Sequence, residues 1–122
     1  MLNKVVLIGR LVKDPNELRT SEGGTSVSSF TLAVDNSYSK ESKADFIPVI
    51  VFNRLAEFTC SYLRKGALIS VEGRLQQRSY QNKEGATVYV IEVVADNIQT
   101  LESKEVRESR LNSSIDTNDL AF

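Results

Sequence analysis

Midway along the chain the apolar side chains change their spacing, and this change constrains the fold more than any other feature. Leu55, Thr59 and Leu63 recur at every fourth position, which predicts one short amphipathic helix. Asn53 is the predicted N-cap, and Gly66 is the predicted residue just past the helix, after a basic last turn. The segments on either side have the short apolar runs and alternation of β-strands. The chain is therefore predicted to place a single helix among strands.

Five segments around this helix have the composition of strands, three before it and two after it. Their bounds are residues 2–12, 27–35, 45–52, 67–80 and 87–95. The turn at 81–86 contains Lys83-Glu84-Gly85 and predicts a hairpin. Five strands with a helix between the third and fourth are typical of the OB-fold, an all-β Greek-key barrel. We expect this barrel to occupy residues 1–101, and residues 102–122, which have no long apolar pattern, to form a flexible C-terminal tail.

The residue inventory argues against catalysis. The chain has one cysteine and no histidine, which excludes an internal disulfide, Ser-His and Cys-His chemistry and the usual zinc ligand sets. Its aspartates between residues 14 and 96 fall singly in different segments, with no close pair for acid–base or metal work. Cys60 lies at helix core spacing and is interpreted as buried filler. We expect no enzymatic activity, no cofactor and no metal.

Charge and hydropathy leave the class of partner open. Residues 1–101 hold 12 basic and 11 acidic side chains, and residues 102–122 hold three and five, so neither part is strongly basic. Any nucleic-acid interpretation must therefore rest on where the charges lie. No apolar run approaches the length of a membrane span, and the single cysteine suits a reducing compartment.

The third predicted strand is apolar on both faces. Ile47, Val49 and Val51 share one face, while Phe46 and Phe52 lie on the other with Pro48 and Ile50 between them. Such a strand is usually covered on both sides, although in a small barrel the outer face can be a working surface. On this strand alone, burial of both faces is the favoured interpretation.

The fourth predicted strand carries a cationic face that ends in an aromatic residue. Its polar face contains Ser70, Glu72, Arg74, Gln76, Arg78 and Tyr80. The loop at 36–44 adds Tyr38 between Lys40 and Lys43. Rings and guanidinium planes stack on bases while cations meet phosphates, so this pattern indicates single-stranded nucleic acid. A solvated face with one edge tyrosine is the commoner alternative for a single strand.

Taken in order, the motifs of residues 1–100 resemble those of the bacterial single-stranded DNA-binding protein family. The matching segments are NKVVLIGRL (3–11), FTLAV (30–34), VIVFNRLAE (49–57), YLRKG (62–66), VEGRLQQRSY (71–80) and EVVADNI (92–98). The resemblance implies an OB-fold homotetramer in the bacterial cytoplasm, at the nucleoid. It also implies non-enzymatic binding of single-stranded DNA during replication, recombination and repair, with partner proteins recruited through the C-terminal tip.

The resemblance also assigns site residues. The base-stacking positions of the family correspond to Tyr38, Phe46, Phe52 and Tyr80, which places Phe46 and Phe52 on the DNA face. Matching phosphate-binding positions are Lys4, Arg54, Arg64, Lys65 and Arg78, to which this chain adds Arg10, Lys40, Lys43 and Arg74. Because the chain has no tryptophan, all of its stacking rings are phenylalanine or tyrosine.

The last residues depart from the family pattern. The expected partner-binding tip is Asp116, Asp119, Leu120, Ala121 and Phe122, with alanine where the family has proline and a short charged linker before it. The chain thus resembles a short paralogue or a phage or mobile-element version. Two alternatives stay open at this point: an OB-fold interaction module of a replication-restart or recombination complex with DNA secondary, and an OB-fold for tRNA or oligosaccharide.

Overall fold

Six strands and one helix make up most of residues 1–36 and 43–102, the part of the chain that the computed structural model describes. In chain order they are β1 (Val5–Leu11), β2 (Arg19–Thr20), β3 (Ser26–Asp35), β4 (Ala44–Phe52), α1 (Asn53–Tyr62), β5 (Leu68–Gln81) and β6 (Thr87–Thr100). Within these residues no helix is long and apolar enough to cross a membrane.

The strands form one sheet that closes on itself. Its order is β1-β5-β6-β4-β3-β2, and β1 also pairs with β3. All the pairs are antiparallel except β4 with β6. The five long strands and the helix between β4 and β5 confirm the predicted OB-fold, to which the two-residue β2 is an addition.

The core lies inside this barrel and is built from alternate residues of the long strands. Leu32 of β3, Val49 and Val51 of β4, Ile69 of β5 and Val93 of β6 are almost fully buried. Phe46, on the other face of β4, is 65% exposed. The interpretation of β4 from its own composition, with both faces buried, is therefore wrong, and the outward placement of Phe46 implied by the family resemblance is confirmed.

The ends of the helix differ from the prediction. Asn53 is the first residue of α1, with a φ of 56°, and the N-cap is Phe52, whose side chain makes no capping bond. The helix ends at Tyr62, so the predicted basic last turn lies beyond it, and Gly66 (φ 88°) belongs to the following turn. Arg64 caps the carboxyl end instead, because its Nη1 donates to the carbonyl oxygens of Cys60 (2.9 Å) and Leu63 (2.8 Å).

The first and last strands differ from the prediction in length. β1 begins only at Val5, and β6 runs on to Thr100. A register shift opposite Glu72 and Gly73 adds one residue to β6 without ending its pairing with β5. The two 14-residue strands therefore form a long hairpin, which extends past the part of β6 that pairs with β4.

Barrel closure depends on the bare backbone of Gly9. This residue lies where β1 leaves β5 and joins β3, next to the Arg10–Ala33 pair. A Cβ atom added there would overlap the carbonyl oxygen of Ala33 and would stand 3.0 Å from Cγ of Leu32. Since the first of these atoms is backbone, a side chain could be admitted only by moving β3 away.

Replacing Gly9 with Ala should lower the free energy of unfolding by about 1–3 kcal/mol, the usual cost of overpacking a close contact. Gly23→Ala is the matched control, because a Cβ there meets only Oγ of Ser21 at 3.9 Å. Urea unfolding followed by circular dichroism, at one fixed protein concentration, measures both variants. Equal midpoints for the two variants would contradict this account of closure.

Candidate nucleic-acid interface

The outward faces of four strands form one continuous surface. Arg74 of β5 pairs with Val94 of β6, Val94 with Ile50 of β4, and Ile50 with Ser29 of β3. Paired residues in neighbouring strands point to the same side of a sheet. We call this surface, made by the outward residues of β3, β4, β5 and β6, the outer face.

Two of the predicted stacking residues lie on the outer face of β4. Phe46 pairs with Ala33 and Phe52 pairs with Val27, so the two rings stand at opposite ends of the strand. Phe46 is the more exposed, at 65% against 37% for Phe52. Exposed apolar rings on a sheet face are costly to leave in water and are suited to stacking on flat ligands.

Tyr80 and Arg78 extend the outer face along the hairpin. Because β4 and β6 run parallel, Phe46 lies toward the same end of the sheet as Val90, the partner of Arg78. Tyr80 follows at the next outward position and is half exposed. The Arg78 guanidinium carbon lies 6.0 Å from the centre of the Tyr80 ring, within cation–π range.

A buried carboxylate holds Arg78 in this place. Oε1 of Glu92 accepts hydrogen bonds from Nε of Arg78 (2.9 Å) and Nε2 of Gln76 (3.3 Å). The side chain of Glu92 is only 6% exposed, while that of Arg78 is 50% exposed. The sequence offered no signal for this role, because Glu92 stands among apolar residues of β6.

The other predicted cations are spread over three regions. Arg74 is on the outer face and Arg54 is exposed in the first turn of α1. Arg10 lines one groove together with Phe46, although its Nη1 also donates to Glu102 Oε1 (3.2 Å) and to the carbonyl oxygen of Gly66 (2.9 Å). Its position thus places a cation beside a predicted stacking ring.

Arg64 and Lys65 are not brought onto the outer face with these groups, whereas Lys4 reaches its margin through Glu72 of β5. Lys4 lies next to β1 and pairs with Glu72 at 3.5 Å. Arg64 is engaged in the helix end, and Lys65 lies in the turn beyond it, where its backbone N–H donates to Oδ1 of Asp14 (2.8 Å). The geometry thus gives Arg64 a structural task that its sequence match does not reveal.

Several predicted residues lie at or beyond the limits of the described chain. Lys43, the first described residue after 36, is exposed. Tyr38, Lys40 and the whole predicted tip (Asp116, Asp119, Leu120, Ala121 and Phe122) lie outside the described residues.

Sequence reasoning missed one cation on the outer face. Arg19 of β2 pairs with Val27, which in turn pairs with Phe52, so a guanidinium stands two strands from that ring on the same side. Arg19 lines a polar groove with Ile50 and Ser29. A two-residue strand carries no periodicity from which its facing could be predicted.

The fold and the outer face together define an OB-fold barrel with exposed aromatic and cationic side chains. The model of the single-strand binding protein family matches residues 2–101. The chain is 53% identical over 113 residues to single-stranded DNA-binding protein 1 of Staphylococcus aureus (strain MSSA476), covering 90% of this chain and 72% of that one. It is 55% identical over 107 residues to single-stranded DNA-binding protein 2 of strain COL, covering 85% and 76%. The chain belongs to the single-strand binding protein family.

Replacing Arg78 with Ala should lower the free energy of unfolding by about 1–3 kcal/mol, because the buried carboxylate of Glu92 would keep only Gln76 as a partner. Lys4→Ala is the control, since it breaks the exposed pair with Glu72 and should cost at most about 1 kcal/mol. Urea unfolding at a fixed protein concentration compares the two. Equal losses would show that Glu92 does not need its cation.

Proposed function

We propose that this protein binds single-stranded DNA without sequence preference and protects exposed strands during replication, recombination and repair. The observation that carries the proposal is the outer face, where Phe46, Tyr80 and Arg78 stand exposed on a barrel of the single-strand binding protein family. The curated relatives described above carry single-stranded DNA-binding in their names.

The chemistry of the face suits this ligand. Every base has a π-face, so stacking on Phe46, Phe52 and Tyr80 would tolerate any sequence. Cations on the same side of the sheet, Arg19 and Arg10 among them, would meet the phosphates that link stacked bases. The proposed activity is binding alone.

We also propose that the protein assembles as a homotetramer in the bacterial cytoplasm. Val6 and Ile8 are 61% and 57% exposed, and both lie on the side of β1 that pairs with Glu72 and Ser70. Adjacent exposed aliphatic residues on a regular strand favour burial against another subunit. Assembly would bring several outer faces within reach of one DNA strand.

Replacing Phe46 with Ala should weaken binding to oligo-dT and to mixed-sequence strands alike, by about 1–3 kcal/mol per lost stack. Titration of an end-labelled oligonucleotide at several salt concentrations, combined with mass measurement of the complex, gives affinity, stoichiometry and assembly together. For the unmodified protein log K should fall with log salt at about −0.7 per phosphate contact.

Tyr89→Ala is the matched control for this experiment. Tyr89 is 67% exposed, like Phe46, but pairs with Ser79 and so points to the opposite side of the hairpin from Tyr80. Its loss should leave affinity unchanged. Weak, salt-insensitive binding by the unmodified protein would refute the proposed function, and a Phe46→Ala defect confined to one sequence would indicate base-edge readout instead.

Partner recruitment by the tip is the remaining part of the proposal. Two aspartates followed by Leu120, Ala121 and Phe122 could meet a basic, apolar pocket on a replication or repair protein. Deleting residues 120–122 should spare oligo-dT binding and abolish capture of such proteins in a pull-down. Unchanged capture would show that the tip is not the docking segment; capture with negligible DNA binding would favour an interaction module.

A further inference from the structure

Glu92 occupies a position where a carboxylate is expensive. It points to the outer face between Val90 and Val94, and with 5% exposure it is nearly removed from water. An aliphatic residue between the two valines would fill the same position with no charge to desolvate. A negative charge on a face that must accept phosphates is also electrostatically unfavourable. Both costs call for a compensating role.

The contacts of Glu92 indicate what that role is. Its Oε1 accepts a hydrogen bond from Nε of Arg78 (2.9 Å). Nη1 and Nη2 of Arg78 make no hydrogen bond to any of the described residues. These two groups form the outward edge of a planar fork, the edge that binds a phosphate in bidentate fashion. The guanidinium carbon also lies over the Tyr80 ring, 6.0 Å from its centre.

The three side chains are thus connected in order, from Glu92 through Arg78 to Tyr80. Glu92 is the fixed base because it is buried and also bonded to Gln76. Arg78 contacts both Glu92 and the Tyr80 ring, and Tyr80 is half exposed. A guanidinium that is hydrogen-bonded at one nitrogen keeps the orientation of its plane. A free arginine side chain samples many rotamers, which binding would have to restrict.

We propose that Glu92 is a positioning residue for DNA binding. It orients the Arg78 guanidinium so that this group contacts the Tyr80 ring and can bind a phosphate through its two Nη groups. This inference rests on the proposed function and deepens it. It predicts a change in DNA affinity opposite to the one expected from charge alone. Removing this negative charge from a DNA-binding face weakens binding, although simple electrostatics requires the reverse.

The test uses the full chain and an end-labelled oligo-dT at low salt, about 50 mM. Glu92→Gln keeps the shape and one acceptor oxygen, but it replaces a charge-assisted bond with a neutral one. We expect about fivefold weaker binding, because binding would then have to restrict an arginine side chain that Glu92 holds less firmly. Glu84→Gln, in the exposed turn of the same hairpin, removes an equal charge and should leave affinity unchanged or slightly higher.

A second background separates positioning from general stability. Arg78→Lys keeps the cation and loses the plane, so it should weaken binding by itself. In that background Glu92→Gln should change affinity less than about twofold, because no plane is left to orient. Thermal unfolding of each variant is measured alongside, and Glu92→Gln should retain the folded barrel at the titration temperature.

The outcomes divide cleanly. Tighter binding by Glu92→Gln would overturn the inference in favour of plain charge repulsion. An equal loss in both backgrounds would also overturn it, because Glu92 would then act through the barrel as a whole. Failure of the unmodified protein to bind oligo-dT would refute the proposed function itself, whereas either of the first two results would leave that function standing.

Discussion

Two close backbone contacts govern the structure. Gly9 approaches the carbonyl of Ala33, and Gly73 approaches the carbonyl of Val94, at separations that leave no space for a Cβ atom. The first lets β1 leave β5 and pair with β3, so that the sheet closes. The second lies at the register shift between β5 and β6, where the hairpin changes its curvature. By allowing closure, the Gly9 contact removes the edges that an open sheet of these strands would expose.

Closure gives every strand an inside and an outside, and this decides the chemistry of the site. Val49 and Val51 fill the barrel, which leaves Phe46 and Phe52 facing out because side chains alternate along a strand. The β5–β6 hairpin is longer than its contact with β4 requires. Its excess length carries Arg78 and Tyr80 past the part of β6 that pairs with β4, so the outer face gains a further stacking group beside Phe46.

The buried face of a strand can be predicted from the sequence where its other face is polar. The facing of β3 and β5 follows from alternation alone, since Leu32 and Ile69 alternate with polar residues. β4 is apolar on both faces, and only the closed topology shows which face is covered. The predicted caps failed for a local reason: Asn53 adopts a left-handed φ inside the helix start. Arg19 and Glu92 escaped prediction because their facing and burial arise from pairing with distant strands.

Three cations of the near-neutral barrel are paired with its own carboxylates, and the burial of each pair decides whether a polyanionic ligand could replace the carboxylate. Lys4 is joined to Glu72, Arg10 to Glu102 and Arg78 to Glu92. These pairs differ in burial. Glu72 is 46% exposed, so its pair is weak in water and a phosphate could replace the carboxylate at little cost. Glu92 is 6% exposed and cannot be displaced without burying an unpaired charge, so Arg78 must bind with its carboxylate in place. On such a face affinity is set by orientation and stacking rather than by net charge, and the charge total of a chain is a poor guide to whether it binds nucleic acid.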